Sequence, residues 1–163
     1  MKHRLSELGA GVSLFPLGVL FAIELLDQAT QSAFNVLTPN IRDAFHLTNA
    51  GILLIVAIAG AAALACTLPI AVLADRTNRV RIALIGAAAG AVFSIGLGAA
   101  QTVVWATIML VGVSMGQAVI FPTHNSLLAD DYPMPERPHI YSAHRSGISI
   151  GAIVGVLLGA GAG

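Results

Sequence analysis

The chain has 163 residues, 56% of them apolar and 10% charged, with a mean hydropathy of +0.85; a soluble domain carries about 25% charged residues, so most of this chain has no water to face. Eight Lys plus Arg balance eight Asp plus Glu, which excludes the basic surface that marks a nucleic-acid partner. At about 20 apolar residues per bilayer crossing, the length allows five transmembrane helices with short loops and leaves nothing for a soluble domain.

Five apolar segments are predicted as helices, at about 12–37, 50–73, 82–100, 103–124 and 141–162. They are continuous runs of Ala, Leu, Ile, Val and Gly, and strands cross lipid only as closed barrels of alternating pattern. The expected fold class is an all-α membrane bundle. Met1-Lys2-His3-Arg4 ahead of an apolar run could pass for a signal peptide. The run continues past Glu24 and Asp27 to about Asn35 without a small-residue cleavage pattern, and it reads as the first helix.

That helix carries Glu24, Asp27, Gln28, Gln31 and Asn35, which fall within a sector of about 100° on one side. A carboxylate facing lipid at mid-bilayer costs several kcal/mol, so the stripe is expected to line a wet cavity or the bundle interior. Burial and like charge both disfavour ionising two carboxylates one turn apart, which makes the pair a candidate proton carrier. The plainer alternatives are that Asp27 is solvated near an interface, or that both acids pair with a basic residue in a missing part of the chain.

The second helix has a weak small-residue face in Ala57, Ala61 and Ala65, and its Cys66 reads as a small buried hydrophobe. After it comes Leu73-Ala74-Asp75-Arg76-Thr77-Asn78-Arg79-Val80-Arg81. This is a tight charged turn in which Asn78 can take the left-handed conformation such a turn often demands, and Asp75 can serve the next helix's N-terminus or an arginine of the loop. Gly86 and Gly90 mark the third helix, Gly112 and Gly116 the fourth. His124, Asn125, His144 and Arg145 read as residues at helix ends. No spacing among the five histidines makes a metal site. In the fifth helix Gly147, Gly151, Gly155, Gly159 and Gly163 recur every four residues, one small-residue face along which another helix can approach closely.

The basic residues set the orientation. Lys2, Arg4, Arg76, Arg79, Arg81 and Arg137 fall on one side, and Arg42 alone on the other. The positive-inside rule then puts the N-terminus in the cytoplasm. No nucleophile elbow, phosphate loop or paired-cysteine motif is present, so neither an enzyme nor a cofactor is expected.

The 73–81 segment resembles the signature loop of the major facilitator superfamily, G-x-L-A-D-R-x-G-R-R/K. Leu73, Ala74, Asp75, Arg76 and Arg79 match; Ala71 and Asn78 replace the glycines, and Val80 replaces a basic residue with Arg81 one place later. Thr38-Pro39-Asn40-Ile41-Arg42-Asp43-Ala44-Phe45 resembles the exit from the family's first helix, and Gly112-Val113-Ser114-Met115-Gly116-Gln117 with Phe121-Pro122 its fourth. Leu128-Ala129-Asp130-Asp131-Tyr132-Pro133 with Glu136-Arg137 resembles the following loop. Ile108 and Met109 stand where many members carry an arginine, and the Gly-Pro antiporter signature of the fifth helix is absent.

The resemblance implies secondary active transport of a small solute by alternating access, in a cell (inner or plasma) membrane. Proton coupling is expected to run through the first-helix stripe. Asp75, Arg76 and Arg79 are implied as a cytoplasmic latch against a second half of the bundle. The chain then reads as a truncated N-terminal part, five helices of a six-helix half. Its glycine ladder is expected to face that missing half or a second chain. The alternative is a non-transporting fragment, or an accessory membrane subunit packing through its fifth helix.

Overall fold

The computed structural model describes residues 13–162; Lys2, Arg4 and Gly163 lie outside them. Six helices stand among these residues: α1 (Phe15–Ala44), α2 (Asn49–Arg76), α3 (Arg79–Gly98), α4 (Val103–Gln117), α5 (Ile120–Asp131) and α6 (Arg137–Ala162). Four of the starts have a local reason. Pro16 lies in the first turn of α1, where its missing N–H costs nothing. Thr48, Asn78 and Thr102 cap α2, α3 and α4, accepting from the N–H groups of Gly51 (3.1 Å), Arg81 (3.2 Å) and Trp105 (3.2 Å), donors that would otherwise lack an intrahelical partner.

The structure extends two of the predicted segments. α1 runs through Pro39 to Ala44, a proline position that membrane helices tolerate. Where the sequence suggests one helix over 103–124, α4 and α5 together reach Asp131 with a break between them. Ala118 and Val119 keep right-handed helical angles, so the two follow one course. Pro122 has no N–H to give the carbonyl four residues back. The turn tightens there, with the Val119 N–H donating to the Gly116 carbonyl at 3.2 Å.

The most extensive packing joins α1 to α6. Gly147, Gly151, Gly155 and Gly159 are all buried. A Cβ built on Gly151 would collide with the carbonyl of Leu25, and one on Gly155 with the carbonyl of Ala29. The glycine face therefore holds α1 of the same chain, and this corrects the expectation that it faces a missing half or second chain. An i, i+4 ladder says only that some helix comes close. A second close approach joins α3 to α4, where a Cβ on Gly116 would lie 2.8 Å from Gly90 Cα and 2.9 Å from the Gly86 carbonyl oxygen.

One end of the bundle is knitted by polar contacts. The buried Tyr132 hydroxyl donates to the Ser13 carbonyl (2.8 Å) and accepts from the Leu17 N–H (3.3 Å). Arg137 donates to the carbonyls of Tyr132 (3.0 Å) and Ala129 (2.7 Å). Leu17, Leu20, Leu128, Tyr132 and Ile140 form the core there.

Elsewhere the apolar surface faces outward: Leu64, Leu68 and Ile95 are each about three-quarters exposed. Water would make such a surface an association site, whereas lipid requires it. α2, α3 and α6 are each long and apolar enough to cross a membrane. The molecule is a multi-pass, all-helical membrane protein.

Candidate functional site

The polar stripe of α1 divides between neighbours, because α1 touches different helices on adjacent sides. Asp27 is half-buried at the wall of a cavity of about 380 Å³ between α1, α3 and α4. Most of that wall is small or apolar: Ile23, Leu26, Gly86, Gly90 and Val113 among others. The Gln117 side chain stands beside the Asp27 carboxylate on the same wall. An amide can stay with a carboxyl group whether or not it is ionised, since it donates through nitrogen and accepts through oxygen. Farther along α1, the exposed Gln31 and Asn35 line a second cavity of about 200 Å³ with Thr30, Ser94, Ser114 and Gln117. Thr30 and Gln117 belong to both walls, so the two spaces adjoin.

Gln28 and Glu24 sit elsewhere. Gln28 packs its Cβ beside Gly151 of α6, at the glycine seam. Glu24 is 7% exposed and meets two buried histidines, His124 (2%) of α5 and His144 (4%) of α6. His124 Nδ1 lies 3.6 Å from Glu24 Oε2 and 3.3 Å from His144 Nε2, with the two rings edge to face. Sequence spacing could not reveal this cluster. The histidines are twenty residues apart, the glutamate a hundred residues earlier, and only the α1–α5–α6 packing joins them.

The charged turn organises the knitted end. Asp75, at the end of α2, pairs with Arg79 Nη2 at 3.0 Å, while Nη1 of the same guanidinium reaches Asp130 at the end of α5 at 2.7 Å. Arg76 is exposed and takes part in none of the ion pairs found among the described residues. The Arg79–Asp130 contact joins the signature turn to the loop after α5, two stretches that the sequence reading kept separate.

The sequence model of the Major Facilitator Superfamily matches residues 20–163. Two solved structures resemble the chain, both of a bacterial homologue of the human lysosomal transporter Spinster in inward-facing conformations. The occupied form is 26% identical over 91% of this chain and 33% of its own, with a TM-score of 0.78. The unoccupied form is 26% identical over 89% and 30%, with a TM-score of 0.77. This chain thus spans about a third of the length of those proteins. No curated protein matches it.

Proposed function

This chain belongs to the major facilitator superfamily, and we propose that it forms the front part of a secondary active transporter that moves a small solute by alternating access. The remaining helices come from a longer polypeptide or a second chain. The N-terminus is cytoplasmic, by the excess of arginine at the end where α2 meets α3 and α5 meets α6. Asp27, Gln31 and Asn35 line the solute path, and Asp27 carries the coupled proton. Asp75, Arg76 and Arg79 form the cytoplasmic latch, with Asp130 holding Arg79 in place.

One observation carries the reading. A carboxylate stands at the wall of a 380 Å³ cavity whose other residues are mostly small or apolar, in an apolar helix where an ionisable group is costly and is by default a functional candidate. The two solved relatives are transporter homologues, which supports transport in general.

The test uses vesicles carrying the chain together with the polypeptide that supplies the remaining helices, and a trapped pH-sensitive dye, challenged with small solutes of differing charge. Solute-dependent proton flux is expected in the wild type and lost in Asp27→Asn. It should persist in Gly98→Ala, where a new Cβ meets nothing within 4 Å. Flux that survives Asp27→Asn at every pH would remove Asp27 from the coupling step.

A further inference from the structure

The Glu24–His124–His144 cluster lies apart from both cavities and is made by three helices. One ligand atom from each residue lies within 4.8 Å of the other two, and all three residues are buried. His124 Nδ1 faces two neighbours at once, a carboxylate oxygen and an imidazole nitrogen. A ring nitrogen has one in-plane direction, as a donor or as a lone pair, and cannot satisfy both well.

We propose that Glu24, His124 and His144 form a binding site for a divalent transition-metal ion of the zinc class, clamping α1 to α5 and α6. The donor set, two imidazoles and one carboxylate, is one that zinc takes with a fourth position left open. Two of the three spacings are near those of such a site. Ligand atoms about 2.0–2.1 Å from zinc in a tetrahedron stand about 3.3–3.4 Å apart; the two contacts to His124 Nδ1 measure 3.3 and 3.6 Å, and the Glu24 and His144 ligand atoms lie within 4.8 Å of each other. A small pocket bordered by the three residues, Asn125 and Arg145 has room for a water as the fourth ligand. Arg145 is exposed, so its guanidinium can swing into solvent and leave the pocket to the ion. One dication meeting one carboxylate supplies positive charge to three converging side chains that are otherwise shielded from bulk water.

The ion is tested on the detergent-purified chain carrying no histidine tag, with Co²⁺ as the optical probe and Zn²⁺ as competitor. The expected result is one Co²⁺ per chain with the intense visible absorption of tetrahedral coordination, displaced by one equivalent of Zn²⁺. His124→Gln, His144→Gln and Glu24→Gln should each weaken binding by at least about tenfold. His139→Gln, on an exposed residue, should leave it unchanged. Helical wild-type protein that takes up no stoichiometric metal would overturn the site, as would binding that survives both histidine changes. Should a variant lose its helicity, thermal unfolding of the wild type decides. A melting temperature that rises with Zn²⁺ supports the clamp, and one that does not rise refutes it.

Discussion

A Cβ built on Gly155 would meet the carbonyl oxygen, carbon and Cα of Ala29, all backbone atoms that cannot rotate away. Alanine in a helix is favoured over glycine by about 1 kcal/mol, but overpacking a tight interface costs about 1–3 kcal/mol. The clash should win. Gly155→Ala is expected to lower the unfolding free energy in mixed micelles, whereas Gly98→Ala, in open space, should be neutral or mildly stabilising. Tyr132 offers a pH-dependent counterpart. Burial, with help from the Asp131 charge, raises its phenol above the ordinary value against the opposing Leu17 backbone bond. The neutral hydroxyl is the donor to Ser13, so the stabilisation is complete below about pH 10, the unperturbed tyrosine value, and is lost as pH climbs through the higher folded value. Alkaline unfolding monitored by helicity should show that loss in the wild type and not in Tyr132→Phe. Single residues were unevenly legible in the sequence. A carboxylate in an apolar run marks itself, so Asp27 stood out. The partners of Glu24 did not, because contacts across a hundred residues leave no local pattern.

Arg79 links three elements through one planar group, reaching Asp75 of α2 and Asp130 of α5 from the first turn of α3. The fork geometry matters more than the charge, since a lysine presents a single ammonium that cannot span two carboxylates in the same way. Both acids are well exposed, so salt should screen the bridge. Arg79→Lys is expected to lower the melting temperature slightly at low ionic strength and by less in 1 M salt, where the Debye length shrinks to about 3 Å. An equal loss at both salt concentrations would mean that packing of the side chain, and not the ion pairs, supplies the effect. At this scale the caps Thr48, Asn78 and Thr102, which act on N–H groups three residues away, were local signals that the apolar pattern alone did not single out. The sequence was least informative about the α4–α5 break and about what the glycine face touches. A repeat of four specifies a surface and not its occupant.

Away from the knitted end the bundle turns many of its leucines outward and packs glycines at its helix seams, the reverse of a water-soluble protein. Leu68 on α2 is 76% exposed, so a spin label on Leu68→Cys in a Cys66→Ala background should collide with oxygen, which concentrates in lipid, and not with a water-soluble nickel chelate. A label on Arg81→Cys should show the opposite preference. Equal collision rates at the two positions would contradict the membrane placement. Composition alone made this scale legible, since a charged fraction of 10% cannot cover a bundle of this size with polar side chains. The division of the α1 stripe between two cavities and a buried cluster was not legible. It depends on how α1 is rotated against α6, and that rotation follows from which carbonyls the glycines admit.

The α1–α6 seam also sets a timetable for synthesis. α1 leaves the ribosome with Glu24, Asp27 and Gln28 already in its apolar span, yet the helix that covers its inner side begins only at Arg137. At about 5–20 residues per second, the interval between the two helices lasts on the order of 5–20 seconds. Throughout that wait the nascent α1 needs a host other than lipid for its carboxylates, such as the lateral gate of the insertion machinery or a chaperone beside it.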